Sequence, residues 1–245
     1  MVTNFYGKTD VGLKRKTNQD CFVIENITEN ALLMIVCDGM GGANGGSEAS
    51  SLAAKTFSDY VKDNFEGTDK HEYARLLTEA LVKANEKVLE KASSGKQYEG
   101  MGTTLVCALY DGENYNCLWV GDSRIYAFKV EGIVQISHDH SFVQSLVDSG
   151  NITVEEAKTH PNRNIITKAV GIENGVGGDV CRLSAEEFDG ILLCTDGLCG
   201  YVEEKDIYEV LRTKKDTAEC CEKLVDIANK SGGNDNVTVI VHRIK

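Results

Sequence analysis

Proline is nearly absent from this chain of 245 residues, and long apolar runs are missing. The single proline is Pro161, and no Ser/Pro-rich or low-complexity stretch marks a linker. The longest uninterrupted apolar segment, residues 31–37, is too short to span a bilayer, and the first residues lack the charged and apolar blocks of a signal peptide. These absences predict one domain over residues 1–245, located in the cytoplasm without membrane attachment.

Positive charge is scarce as well. Lys and Arg number 26 against 38 Asp and Glu, which gives a net charge of −12. This acidity disfavours binding to nucleic acids and to anionic membrane surfaces. Nine cysteines are present, but the number is odd and Cys37, Cys107, Cys117 and Cys194 lie within apolar, strand-like patterns. We therefore predict reduced thiols in the core rather than disulfides or a zinc site.

The apolar periodicity predicts a layered α+β protein. Amphipathic helices are predicted around residues 49–61, 73–88, 203–212 and 216–230. Strands are predicted at 4–9, 21–25, 31–37, 103–109, 115–120, 124–129, 133–137, 180–183, 191–195 and 237–243. Short turns with Gly or Asp at 111–114, 121–123 and 131–132 predict antiparallel hairpins joined in a meander.

Residues 138–175 interrupt this strand pattern. The segment is mostly polar, contains Pro161 and includes one short apolar, helix-like piece at residues 142–147. Long excursions of this kind are often functional, so we predict that 138–175 forms a flap within the domain.

Four aspartates stand where apolar runs meet turns, namely Asp20, Asp38, Asp196 and Asp235. Each one alone is also an ordinary turn former. If the strands share one core, however, the carboxylates gather at one edge, where their repulsion is costly unless cations bind. Clustered carboxylates suit Mg²⁺ or Mn²⁺. Taken together, the four positions favour a metal centre.

Arg15 precedes Asp20 by five residues, so one bend of the chain can direct both toward one pocket. A lone arginine is more often a solvated surface charge, but beside a carboxylate cluster its planar guanidinium suits a phosphate. Two cations with an arginine indicate hydrolysis of a phosphoester by in-line displacement. A Gly-x-Ser-x-Gly nucleophile is absent, and the glycine-rich segment 38–46 lacks the Gly-Lys-Ser/Thr ending of a P-loop.

Six motifs in order resemble the metal-dependent serine/threonine protein phosphatases of the type 2C (PPM) family, and in particular the stand-alone bacterial members. The motifs are Arg15-Lys-Thr-Asn-Gln-Asp20, Asp38-Gly-Met-Gly-Gly42, Gly102-Thr-Thr104, Gly121-Asp-Ser-Arg124, Thr195-Asp-Gly-Leu198 and Gly233-Asn-Asp-Asn236. The resemblance covers about residues 4–243. It implies a four-layer α/β/β/α sandwich, with two antiparallel β-sheets flanked by helix pairs, that hydrolyses phosphoserine and phosphothreonine by attack of a metal-activated water.

The resemblance also implies a binuclear Mn²⁺/Mg²⁺ centre at one end of the sandwich. Asp38 would bridge both metals, Asp196 and Asp235 would complete one of them, and Asp20 with the Gly39 carbonyl would serve the other. Arg15 would hold the substrate phosphate. Asp122 matches the position that helps to bind a third, weaker metal in bacterial relatives.

One position departs from the eukaryotic pattern. The histidine proposed there as general acid is replaced by Met40, which leaves a metal-bound water as the remaining candidate for that role. His138 and His140 look like a metal pair, but alternate histidines more often make structural hydrogen bonds, so we place neither in the metal set.

By the same resemblance, the partners are phosphorylated proteins and a cognate Ser/Thr protein kinase, and the enzyme is a monomer. Two alternatives stay open at this point. One is a regulatory phosphatase of the stress or sporulation type that acts on an anti-sigma-antagonist phosphoprotein. The other is a catalytically silent binding module with the same fold.

Overall fold

The structure, a computed structural model, describes residues 4–42 and 45–244. The apolar runs predicted as strands form strands, with bounds shifted by at most three residues. The predicted strand 103–109 is broken in two at Thr104. The strands are β1 Phe5–Asp10, β2 Asp20–Asn26, β3 Leu32–Met40, β4 Gly102–Thr103, β5 Leu105–Tyr110, β6 Asn114–Val120, β7 Arg124–Lys129, β8 Gly132–Gln135, β9 Asp179–Ser184, β10 Gly190–Cys194 and β11 Val237–Arg243.

These strands form two antiparallel sheets. The first has the order β1-β11-β10-β7-β8, and the second has the order β2-β3-β5-β6-β9 with β4 paired to β3. In the first sheet, the earliest and the latest strands of the chain are neighbours, with Phe5 opposite His242 and Asp10 opposite Val237. The two ends of the described chain therefore contribute to the same edge of the site described below.

Two pairs of helices cover the outer faces of the sheets, and three short helices lie outside these pairs. They are α1 Gly45–Asn64, α2 Tyr73–Ala92, α3 Phe142–Asp148, α4 Val154–Thr159, α5 Asp196–Cys199, α6 Glu204–Thr213 and α7 Thr217–Lys230, with 3₁₀ turns at Lys70–Glu72, Lys96–Tyr98 and Ala185–Glu187. Within the described ranges, none of the helices combines the length and the apolarity that crossing a membrane requires.

Three apolar layers hold the elements together. One lies between helices α1 and α2 and the second sheet, one lies between helices α6 and α7 and the first sheet, and the third lies between the sheets. The predicted four-layer sandwich is therefore confirmed. All nine cysteines are free thiols, six of them buried, as predicted for core residues.

Strand β3 shows how the sequence produces this layering. Leu33, Ile35 and Cys37 pack under the helices, whereas the alternate residues from Leu32 to Val36 pack between the sheets. Because successive side chains of a strand point to opposite faces, a strand buried on both sides reads as a continuous apolar run. Asp38 follows the inter-sheet set, so its carboxylate belongs to the end of the space between the sheets.

The predicted meander is wrong at residues 121–123. Strands β6 and β7 flank this short turn, yet β6 pairs with β5 and β9 in the second sheet while β7 pairs with β8 and β10 in the first. Packed sheets lie only about 10 Å apart, so a three-residue turn can cross from one to the other. Gly121 supplies the positive φ of 101° that the crossing uses. The crossing sets Asp122 at the end of the sandwich, between the sheets.

Residues 138–175 leave the sandwich and contain the short helices α3 and α4. The predicted helix at 142–147 is confirmed, and α4 begins with a capping box in which Thr153 and Glu156 bond each other's backbone N–H groups. The segment returns through an isolated bridge between Thr103 and Val170. Its action as a flap stays a prediction.

Candidate active site

Asp20 and Asp38 face each other across the β2–β3 pair, where they are register partners. Asp38 lies inside β3 rather than after it, because β4 extends the pairing to Met40. Its backbone is tied on both sides. The Thr104 hydroxyl accepts a hydrogen bond from the Asp38 N–H at 2.9 Å, and the Thr103 hydroxyl donates to the Asp38 carbonyl at 2.8 Å. The Gly102-Thr-Thr104 motif therefore positions the central carboxylate.

Asp20 is held by two hydroxyl groups from the other sheet. Thr195 donates to its Oδ2 at 2.9 Å and Thr238 donates to the same oxygen at 2.7 Å. Burial raises the pKa of Asp20 to about 7, although the two hydroxyl bonds favour the ionised form. The second sheet thus supplies the carboxylate and the first sheet orients it.

Asp38 and Asp196 meet at the centre of the cluster, with their carboxyl groups within hydrogen-bonding reach. Asp196 is the first residue of α5, directly after β10. Burial, followed by the charges of Asp20 and Asp196, raises the pKa of Asp38 well above its usual range. Burial and the Asp235 charge likewise raise the pKa of Asp196. Negative charge at this point is costly without a cation.

Asp122 joins the cluster from the crossing turn. Burial, followed by the charges of Asp196 and Asp139, raises the pKa of Asp122 to about 8. The next residue, Ser123, is buried and bonds the Thr104 hydroxyl at 2.7 Å. Because Thr104 also holds Asp38, the turn and strand β3 are fixed to each other.

Arg15 approaches the same cluster. Its Nη2 donates to Asp235 Oδ2 at 2.8 Å, and half of its side chain remains exposed. Burial opposes the charged guanidinium, but Asp235, Asp38 and Asp196 more than offset this and raise the pKa of Arg15. The structure therefore brings Arg15 to the carboxylates with part of its donor set facing solvent.

Asn236 connects the loop that carries Arg15 to the end of the chain. Its Oδ1 accepts from the Gln19 N–H at 2.8 Å, and its Nδ2 donates to the carbonyls of Val11 and Thr17 at 2.9 and 3.0 Å. Gly12 packs against the Asp235 carbonyl so closely that a Cβ would lie 2.2 Å from that oxygen. The two loops form one unit that carries Arg15 and Asp235.

The residues present fit the divalent ions that the sequence predicts. Among the described residues, Asp20 Oδ1 and Asp196 Oδ1 are buried oxygens without a hydrogen-bond partner, and a cation would supply one. Across residues 4–42 and 45–244, no three His, Cys, Asp or Glu side chains lie close enough together to hold one metal ion. A few carboxylates completed by water is the usual arrangement for Mg²⁺.

Gly39 is enclosed between the Asp20 loop and the first turn of α1. A Cβ at this position would lie 2.0 Å from the Gly46 carbonyl oxygen and 2.5 Å from the Gln19 carbonyl oxygen. Only glycine fits there. The role of its own carbonyl as a metal ligand stays a prediction.

Residues 138–140 make hydrogen bonds, as predicted for a structural node. His140 Nδ1 accepts from the Gly121 N–H at 3.2 Å, and His138 Nε2 bonds Asp148 Oδ2 at 2.8 Å. Between them, Asp139 forms a two-pronged ion pair with Arg124 at 2.9 and 2.7 Å. This segment therefore braces the turn that presents Asp122.

Sequence reasoning missed the side chains that orient the cluster. Thr195 directly precedes Asp196, and Thr238 comes three residues after Asp235. Threonine is common in and beside strands, so neither position signals a role in the sequence. Asn236 is the last residue of the Gly233-Asn-Asp-Asn236 motif, which does not by itself indicate hydrogen bonds to other loops. Its three hydrogen bonds require knowledge of which loops meet.

A cavity of about 800 Å³ opens beside the cluster. Asp122 and Asp196 form part of its wall, together with Arg124 and Tyr201 of the sandwich. The opposite wall comes from the 138–175 segment, including residues of α3 and α4 and Arg163. Arg163 lies over the Tyr201 ring at 5.4 Å, and Lys158 pairs with Glu203 at 3.1 Å, so the segment is tied to the edge of α5 and α6.

Known proteins are similar to this chain in both sequence and fold. The family model for protein phosphatase 2C matches residues 14–240. A serine/threonine phosphatase of Listeria monocytogenes serovar 1/2a is 34% identical over 234 residues, which cover 96% of this chain and 93% of that protein. The crystal structure of the serine/threonine phosphatase Stp1 from Staphylococcus aureus has a TM-score of 0.92 at 35% identity, covering 100% of this chain and 96% of that one.

A further crystal structure bears on the metal. The catalytic domain of the serine/threonine protein phosphatase PstP, solved in complex with two manganese ions, has a TM-score of 0.84 at 31% identity and covers 98% of this chain and 96% of that one. Matches over nearly the full length confirm the resemblance drawn from the six motifs. The chain belongs to the protein phosphatase 2C family.

Proposed function

We propose that this protein is a phosphoprotein phosphatase that removes phosphate from phosphoserine and phosphothreonine with the help of two Mn²⁺ or Mg²⁺ ions. The observation that carries the proposal is the convergence of five carboxylates, from Asp20, Asp38, Asp122, Asp196 and Asp235, at one end of the sandwich. A silent binding module would have no need of buried carboxylates whose repulsion opposes folding.

Different carboxylates are proposed to hold the two ions. Asp38, at the centre, is proposed to bridge both, with Asp196 and Asp235 on one ion, and with Asp20 and the Gly39 carbonyl on the other. When bound, such ions lower the pKa of a water and neutralise charge on a phosphoryl group. Asp122 is proposed for a third, weaker site, since its carboxyl lies near Asp196 but is presented by a separate turn.

Arg15 is proposed to bind the substrate phosphate. Guanidinium cannot ligate a cation, but it makes charge-assisted bonds to phosphate oxygens. Its partner in the structure is Asp235, and its exposed half leaves donors for a substrate. An incoming phosphate would compete with Asp235 for this arginine.

The cavity beside the cluster is proposed to receive the protein substrate. Its outer wall is the 138–175 segment, which we propose acts as a flap that influences substrate choice. A cognate Ser/Thr kinase as the source of these substrates, a monomeric enzyme and a cytoplasmic location are further predictions drawn from the sequence.

Turnover of a small aryl phosphate and of a phosphopeptide, with and without Mn²⁺, tests this function. We expect hydrolysis of both with Mn²⁺, loss of both with EDTA, and a large loss of kcat in Asp38→Asn. Asp59→Asn is the matched control, because Asp59 is an exposed residue of α1 that pairs only locally with Lys55. Full turnover by metal-stripped protein, or near-normal kcat in Asp38→Asn, would contradict the proposal.

A further inference from the structure

Two apolar side chains lie beside the carboxylate cluster without a role in it. Met40 follows Asp38 by two residues on β3, so both side chains point to the same face of that strand. Ile172, on the returning arm of the 138–175 segment, is half exposed, with 49% of its surface accessible. Neither residue contributes to the 800 Å³ cavity.

The side chains of Met40 and Ile172 meet over Gly102. It is the register partner of Met40 in the β3–β4 pair. A Cβ at this position would lie 2.8 Å from Ile172 Cδ1 and 2.9 Å from Met40 Cε. Because no side chain is present at residue 102, Ile172 and Met40 approach each other above the strand. We call these two side chains the apolar shelf.

Asn85 of α2 fixes the backbone on both sides of Ile172. The buried Asn85 of α2 accepts from the Gly171 N–H at 2.7 Å and donates to the Glu173 carbonyl at 2.9 Å, so one side chain grips the backbone on both sides of Ile172. Gly171 has a φ of 88°, and a Cβ there would lie 2.1 Å from Val88 Cγ1. A buried amide that satisfies both its ends in this way fixes the backbone of a half-exposed apolar residue.

The distance between the carboxylate cluster and the apolar shelf indicates which part of a bound substrate can contact the shelf. Two residues along a strand span about 7 Å, so Met40 lies about that far from Asp38. A phosphoresidue placed at the cluster has chain neighbours spaced about 3.8 Å apart. The substrate chain leaves the phosphoresidue in two directions. A residue one or two positions away from the phosphoresidue can therefore reach the shelf.

We propose that Ile172 and Met40 form a specificity subsite that binds an apolar side chain of the phosphorylated substrate, one or two positions from the phosphoresidue. The inference rests on the proposed phosphatase function and names a substrate feature that it recognises. Covering Ile172 with an aliphatic side chain removes apolar surface from water on both partners, whereas a charged side chain would lose hydration there.

Phosphopeptides that differ at one position test the subsite. A set with Leu at −2, −1, +1 or +2 in an otherwise alanine-rich phosphothreonine peptide is compared with the all-alanine peptide at saturating Mn²⁺. We expect Leu at one of these positions to raise kcat/KM roughly three- to tenfold, the usual value of one apolar contact. In Ile172→Ala the preference should fall to about twofold or less, while turnover of the aryl phosphate stays unchanged.

Two further variants complete the test. Ile172→Leu keeps the apolar surface and should keep the preference. Val130→Ala removes an apolar side chain that is also exposed, 69% against 49% for Ile172, from the β7–β8 turn and should leave the preference intact. A wild-type enzyme that hydrolyses all peptides equally, or a Leu preference that survives in Ile172→Ala, overturns the subsite alone. Failure to hydrolyse both the all-alanine peptide and the aryl phosphate would instead contradict the proposed phosphatase function.

Discussion

Replacing Asp20 with asparagine should stabilise the metal-free protein and weaken its response to metal. The carboxylate lies in the cluster, accepts bonds from Thr195 and Thr238 at 2.9 and 2.7 Å, and leaves Oδ1 unpartnered among the described residues. Asparagine has nearly the same shape, and its Oδ1 can accept both hydroxyl bonds. The substitution therefore removes one negative charge while the supports of the side chain stay in place.

The magnitude follows from linkage between protonation and folding. The pKa of Asp20 is about 7 in the folded protein and 3.8 without the fold. Because the folded state holds the proton more tightly, the free energy of unfolding falls as pH rises from about 4 to 7, and is level above that range. For Asp20 alone the loss at pH 8 is roughly 4 kcal/mol as an upper limit, because proton sharing with the neighbouring carboxylates reduces it.

Chemical denaturation of wild type and Asp20→Asn, in EDTA and in Mn²⁺, at pH 5 and pH 8, measures the effect. In EDTA the variant should be more stable, and its advantage should be larger at pH 8 than at pH 5 by about 1–3 kcal/mol. In Mn²⁺ at a hundred times its Kd, wild type should gain about 2.7 kcal/mol at pH 8, and the variant should gain less. An advantage that does not depend on pH would refute the reasoning, as would equal Mn²⁺ gains.

Three other predictions concern single parts of the site. Arg15→Ala should raise KM and weaken inhibition by phosphate while Mn²⁺ affinity stays nearly intact, and calorimetry showing a large loss of that affinity would count against it. The melting temperature should rise with Mn²⁺, with the gain reduced in Asp38→Asn and nearly retained in Asp122→Ala; equal losses in the two variants would remove the distinction between central and weaker sites. Exchanging residues 138–175 for those of a relative should change turnover of phosphoproteins more than that of an aryl phosphate, and equal effects on both substrates would argue against a flap.

The strands and helices were largely predictable because the apolar pattern of each element is strong. Residues 31–37 are apolar without interruption, which predicts a strand covered on both faces, and β3 is such a strand. The turn at 121–123 was predicted wrongly because its length is compatible with a hairpin. Whether β7 returns beside β6 or crosses to the other sheet depends on partners that are distant in sequence, such as β10.

The candidate site was also predictable only in part. The meeting of Asp38 and Asp196 could be predicted because both follow buried apolar runs that share one core, and the structure brings their carboxyl groups together; their roles as metal ligands stay predictions. The orientation of Asp20 could not be identified, because it depends on hydroxyl groups of Thr195 and Thr238, which are 175 and 218 residues away. The same holds for Asn85, whose amide grips residues 86 and 88 positions further along the chain.

The pairing of β1 with β11 has a consequence for the life of the chain on the ribosome. Phe5–Asp10 is made more than two hundred residues before its neighbour Val237–Arg243. Asp235 and Thr238 arrive with β11, so Asp20 and Asp38 lack the groups that complete their cluster until that strand has been made. A chain that ends before β11 therefore lacks an assembled centre, and the cluster can form only once β11 has left the ribosome.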